Sequence, residues 1–142
     1  MNLSEHFTLE ELTHTDHREF DNTPNDAEVA NLNRLASFLE EVKTVLGGKP
    51  VMVNSAFRSK AVNDAIGSKD TSQHRIGCAA DIRIPGMTPD EVVQAIRASG
   101  IGYDQLIREF DRWTHISISS VAGDKPRQQV LIIDKVGTRF YA

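Results

Sequence analysis

The strongest constraint on the fold is a run of apolar residues with helical spacing in the first third of the chain. Val29, Leu32, Leu35, Ala36, Leu39, Val42, Val45 and Leu46 recur at three- and four-residue steps, so they line one face of a helix. Thr23-Pro24 reads as its start, an N-cap followed by proline at the first helical position, and Gly47-Gly48 as its stop. A helix with one apolar stripe needs a second layer to cover that stripe. Later segments supply it as strands over residues 51–53, 81–84, 105–110, 113–119 and 128–133. Thr8 with Glu11 opens a short helix through a capping box. Residues 59–66 read as a small helix before a polar loop at 67–73. Thr88-Pro89-Asp90-Glu91 caps another helix that runs to Ser99-Gly100. Helices come first and short strands later, which predicts an α+β fold with a mostly antiparallel sheet and flanking helices.

At 142 residues the chain fits a single domain, residues 1–142, large enough for a core without disulfides. Its one cysteine, Cys78, excludes an internal disulfide. A net charge of −4 argues against general attraction to nucleic acid or to an anionic membrane. No apolar stretch approaches the roughly 20 residues needed to span a bilayer. The segment from Met1 to His6 lacks a basic region followed by an apolar run, so no signal peptide is expected. These features predict a monomer made in the cytoplasm. A substrate outside the membrane would require separate delivery.

Two segments carry the chemistry. The first, Ser72-Gln73-His74-Arg75-Ile76-Gly77-Cys78-Ala79-Ala80-Asp81, joins a loop histidine to an aspartate at a strand start. In the second, Trp113-Thr114-His115 puts another histidine in a strand. Strand alternation sorts the neighbours: Ala80, Ile82 and Ile84 share one face, Asp81 and Arg83 the other. Ile116 and Ile118 likewise oppose His115, Ser117 and Ser119. Each strand thus offers an apolar face for the core and a polar face with a potential ligand. Two histidines and a carboxylate suit zinc and leave a fourth position for water. The same residue types also occur as ordinary surface groups, and composition alone leaves both readings open.

The spelling Ser-x-His-x-x-Gly-x-Ala-x-Asp followed by Trp-x-His resembles the zinc D-Ala-D-Ala carboxypeptidase and L-Ala-D-Glu endopeptidase family, peptidase M15-like. Its superfamily includes lysostaphin-type endopeptidases and the hedgehog signalling domain. The resemblance runs from Phe7-Thr8-Leu9-Glu10-Glu11 through Ser55-Ala56-Phe57-Arg58-Ser59 to His115-Ile116-Ser117. It is nearest to compact phage-type lysins. The resemblance implies a hedgehog/DD-peptidase-like fold with one Zn2+ held by His74, Asp81 and His115 on the sheet's polar face. It implies hydrolysis of a peptide bond in the stem peptide of bacterial peptidoglycan. A phage or prophage lysin, released by a holin, or a tail-associated wall peptidase fits the missing signal peptide. The rival reading is a zinc-stabilised binding or structural module that kept the fold without turnover.

Such a hydrolase needs a proton shuttle, for which Glu109 is the first candidate and Asp111 the second. In the dipeptidase branch of the family the glutamate lies three residues before the last histidine. Arg112 holds that position here and cannot act as a base. Glu109 serves only if a tight turn over residues 110–112 brings it back toward the metal. Arg58 matches a family arginine thought to bind a substrate carboxylate, which suits a guanidinium fork. Wall peptides carry a carboxylate beside each expected scissile bond, either the terminal group after D-Ala or the free α-carboxylate of D-Glu. Ser72 and Gln73 offer hydrogen bonds near the metal, though Ser72 also suits a purely loop-shaping role. Trp113 shares the His115 face, as a cleft wall or as packing. Gly77 supplies a backbone conformation closed to other residues. Cys78 is a small packed residue or a further zinc ligand. His6, His14 and His17 read as surface groups.

Overall fold

The computed structural model describes residues 1–141. Helix α1 (Leu9–Leu12) starts at Thr8, whose side chain accepts from the Glu11 N–H. The long helix α2 (Asp26–Val45) follows. Its N-cap is Asn25 rather than Thr23. Asn25 Oδ1 accepts from the Glu28 N–H, and Glu28 Oε1 accepts from the Asn25 N–H, so two orphan donors are satisfied reciprocally. Thr23 is instead taken by Asp21, whose carboxylate receives both its N–H and its hydroxyl. Next come strand β1 (Met52–Ser55) and helix α3 (Lys60–Ala65), then a single 3-10 turn over Gln73–Ile76 that starts where the expected loop at 67–73 ends. Strand β2 (Ala79–Arg83) precedes helix α4 (Pro89–Ser99), which Thr88 and Glu91 cap reciprocally. Strands β3 (Gln105–Glu109), β4 (Trp113–Ser117), β5 (Gln129–Asp134) and β6 (Gly137–Phe140) complete the chain.

The six strands form one sheet in the order β1-β2-β4-β3-β5-β6. Every pairing is antiparallel except β3 with β5. The fold is therefore α+β with a mostly antiparallel sheet. On one side, Ala80, Ile82, Leu106 and Ile116 join a continuous apolar cluster with Leu32, Leu35 and Leu39 of α2 and Val92, Val93 and Ile96 of α4. The stripe read from the sequence is the face of α2 that the core covers.

The other side of the sheet is free to carry polar groups. Asp81 pairs directly with His115, and His115 with Ile107, so β2, β4 and β3 present these residues side by side. Glu109 lies two residues beyond Ile107 on the same face, opposite Trp113. The hairpin between β3 and β4 uses Phe110 and Asp111 at φ 53° and 54°, the left-handed region. A tight turn of this kind keeps Glu109 in register with the ligand face.

Candidate metal centre

Each of the three candidate ligands arrives from a different element. His74 sits on the 3-10 turn, which Ser72 opens by accepting the His74 N–H on its hydroxyl. The turn ends at Gly77, φ 83°, pressed against α2. A Cβ there would meet the Glu28 carbonyl oxygen at 3.0 Å and Leu32 Cγ at 3.1 Å. Asn31 of α2 also donates to the Ile76 carbonyl. A two-way latch fixes the histidine itself. His74 Nδ1 donates to the Ala56 carbonyl at 2.7 Å, and the Arg58 N–H donates to the His74 carbonyl at 2.9 Å. Nδ1 therefore carries the proton, and the Nε2 lone pair faces Asp81.

Asp81 Oδ1 lies 3.3 Å from His74 Nε2 and 3.2 Å from His115 Nδ1. All three residues are buried, and one ligand atom from each falls within 4.8 Å of the others. Donor atoms about 2.0–2.2 Å from a tetrahedral zinc lie roughly 3.3–3.6 Å apart, and the two spacings at Asp81 lie close to that range. Burial works against the Asp81 charge, but His74 and His115 outweigh it and hold the carboxyl well below the ordinary range. The group is chemically and sterically able to hold a divalent metal.

Arg58 approaches from the far side of the same carboxylate. Its Nη2 donates to Asp81 Oδ2 at 3.1 Å and its Nε to the Ser55 hydroxyl at 3.1 Å. The two oxygens of Asp81 are thereby divided, Oδ1 toward the histidines and Oδ2 toward Arg58. The guanidinium side chain is only 14% exposed. Asn22 braces this segment, donating to the Phe57 carbonyl and accepting the Ser59 N–H.

Glu109 Oε1 stands 3.9 Å from His115 Nδ1, while Oε2 accepts the Trp113 indole N–H at 2.9 Å. Burial and the nearby Asp81 push the Glu109 carboxyl above its usual value, opposed by His115, Trp113 and Arg58. Asp111 is turned elsewhere, onto the Arg108 guanidinium at the exposed hairpin tip. Glu109, His115, Ser72, Gln73 and Gln105 line an open cleft of about 560 Å³.

Other sequence candidates take different places. The Gln73 amide donates to the buried Asp104 carboxylate, the Ile118 carbonyl and the Ser120 hydroxyl, tying the His74 turn to the segment after β4. Cys78 lies on the core face of the sheet, outside the three-residue group, with Arg34 beside its sulfur. His6, His14 and His17 pair with Glu40, Asp16 and Glu19 on the surface. Sequence reading missed Asn22, Asp104 and the Ala56 carbonyl. Asn22 and Asp104 carry no periodic or motif signal, and the Ala56 side chain says nothing of what its carbonyl accepts.

Catalytic zinc sites in hydrolases use three protein ligands with a carboxylate nearby, and these are the donor types gathered here: His74, Asp81 and His115 beside Glu109. The amino-acid sequence narrows the class further. It matches the family profile described as peptidase M15 over residues 5–117, and the chain belongs to that family. A search of curated proteins found no match. Among the described residues, no helix is long and apolar enough to cross a membrane.

Proposed function

We propose that the protein is a zinc peptidase that hydrolyses a peptide bond in the stem peptide of bacterial peptidoglycan, the substrate the family resemblance implies. The observation that carries the reading is Glu109 Oε1 beside His115 Nδ1, on the sheet face that also holds Asp81. A zinc ion held by His74, Asp81 and His115 would supply a nucleophile from water near neutral pH and polarise the scissile carbonyl. Glu109 takes the water's proton and returns it to the leaving amine. The Trp113 indole fixes one oxygen of Glu109, so the other is aimed at the ligand side. Arg58 orients Asp81 through its hydrogen bond to Oδ2, which leaves Oδ1 facing the two histidines. A wall-lytic role in a phage or prophage setting fits this chemistry.

Under the rival, a metal-stabilised binding module without turnover, Glu109 would serve only as the acceptor of the Trp113 indole N–H. The test is a synthetic stem peptide incubated with protein whose zinc content is known. About one zinc per chain and cleavage that stops on chelation and returns with zinc support the peptidase. Bound zinc with an intact peptide favours the rival. Loss of zinc in His74→Ala and His115→Ala tests the ligand set independently of turnover.

A further inference from the structure

Arg58, the residue matched to a family carboxylate-binding arginine, has its Nε and Nη2 engaged by Ser55 and Asp81, and its side chain is only 14% exposed. Two other cations line the cleft beside Glu109 and His115, namely Lys69 and Arg127. Arg127 is held at the cleft wall by Asp104. Its Nε and Nη2 donate to Asp104 Oδ2 at 3.0 and 2.7 Å, and its own N–H donates to Oδ1 at 2.9 Å. Asp104 is only 5% exposed and also receives the Gln73 amide, one residue from His74. The guanidinium is thus set at a fixed place relative to the candidate metal ligands. Its side chain remains 55% exposed, and three of its five N–H groups are uncommitted. Lys69 makes no ion pair among the described residues.

We infer that Arg127 and Lys69 form the subsite that reads a free carboxylate next to the scissile bond of the peptide substrate. The inference rests on the proposed peptidase reading for its substrate class. Arg127 lies beyond the stretch matched by the family profile, whereas Lys69 lies within it. The physical basis is pre-organisation: a guanidinium already clamped on one edge loses little freedom when a second carboxylate arrives. Glu109 is the acidic residue in the cleft lining, and Asp104 behind the wall balances Arg127 while leaving its outer N–H groups open to a second carboxylate.

The test is binding of a short stem peptide and its carboxamide twin to zinc-loaded Glu109→Gln protein, which holds the ligand without turnover. Amidation should weaken binding roughly tenfold, the scale of a charge-assisted hydrogen bond. Lys69→Met should reduce that penalty to a few-fold, and Arg127→Lys should reduce it as well, because the fork is lost. Arg127→Ala is avoided because it strands Asp104, whereas Lys69 is exposed and its replacement leaves the fold intact. An equal amidation penalty in all three proteins overturns the subsite, as does no penalty in the parent. Discrimination between the twins with no cleavage by wild type would instead count against the peptidase reading alone.

Discussion

Glu109 and Trp113 carry the sharpest single-residue expectations. Glu109→Gln keeps the size of the side chain and removes the base, so zinc should remain while turnover falls roughly 10²–10⁴-fold. Elemental analysis and peptide cleavage on one preparation check both halves. Trp113→Phe keeps an aromatic ring but deletes the indole donor to Glu109 Oε2. One hydrogen bond to a charged group is worth about 1.5–3 kcal/mol, so kcat should fall about ten- to a hundredfold with zinc affinity unchanged. Strand alternation separates Asp81 and His115 from their apolar neighbours, but it was the spelling Ser-x-His-x-x-Gly-x-Ala-x-Asp with Trp-x-His that made all three clustered residues legible. Asn22 and Asp104 were not legible. Each is a lone polar residue whose partners are distant in sequence, and a carbonyl such as that of Ala56 leaves no mark at all.

The connections between elements explain where the sequence reading held and where it slipped. The stripe on α2 was plain, but Thr23 and Asn25 are both good caps. Only the reciprocal bonds with Glu28 decide between them. Strand β6 escaped notice because every residue in it is exposed, so no alternation exists to see. The parallel pairing of β3 with β5 depends on the path of residues 118–128, which strand patterns do not encode. Gly77 shows how closely the 3-10 turn is seated on α2. Gly77→Ala meets both an unfavourable φ and the Glu28 carbonyl, and should cost about 1–3 kcal/mol with weaker zinc binding, as read by thermal unfolding and chelator competition.

Asp104 links these parts into one acid-sensitive unit. Burial opposes its charge, but Arg127 and Gln73 outweigh that and hold its carboxyl below the usual aspartate value. The unfolded chain therefore binds the proton more readily than the folded one. The stabilisation is present above the unfolded aspartate value of about 3.9 and is lost as pH falls through the lower folded value. Asp104→Asn should be less stable than wild type at pH 7, with the gap closing below about pH 4. Urea unfolding across that range checks the slope, and a gap that stays constant would assign the stabilisation elsewhere. The match to the family profile covers residues 5–117, whereas Arg127, β5 and β6 line the cleft beyond it. Substrate choice is therefore expected to reside partly in the last 25 residues, 118–142, and the hydrolytic chemistry in the matched portion. The most direct measurement is digestion of purified peptidoglycan by the zinc-loaded protein, with mass spectrometry of the released fragments. The expected products carry new amine and carboxyl ends at one stem-peptide bond, absent with chelator and absent with Glu109→Gln. Folded, zinc-loaded protein that leaves every stem-peptide bond intact would contradict the proposed function.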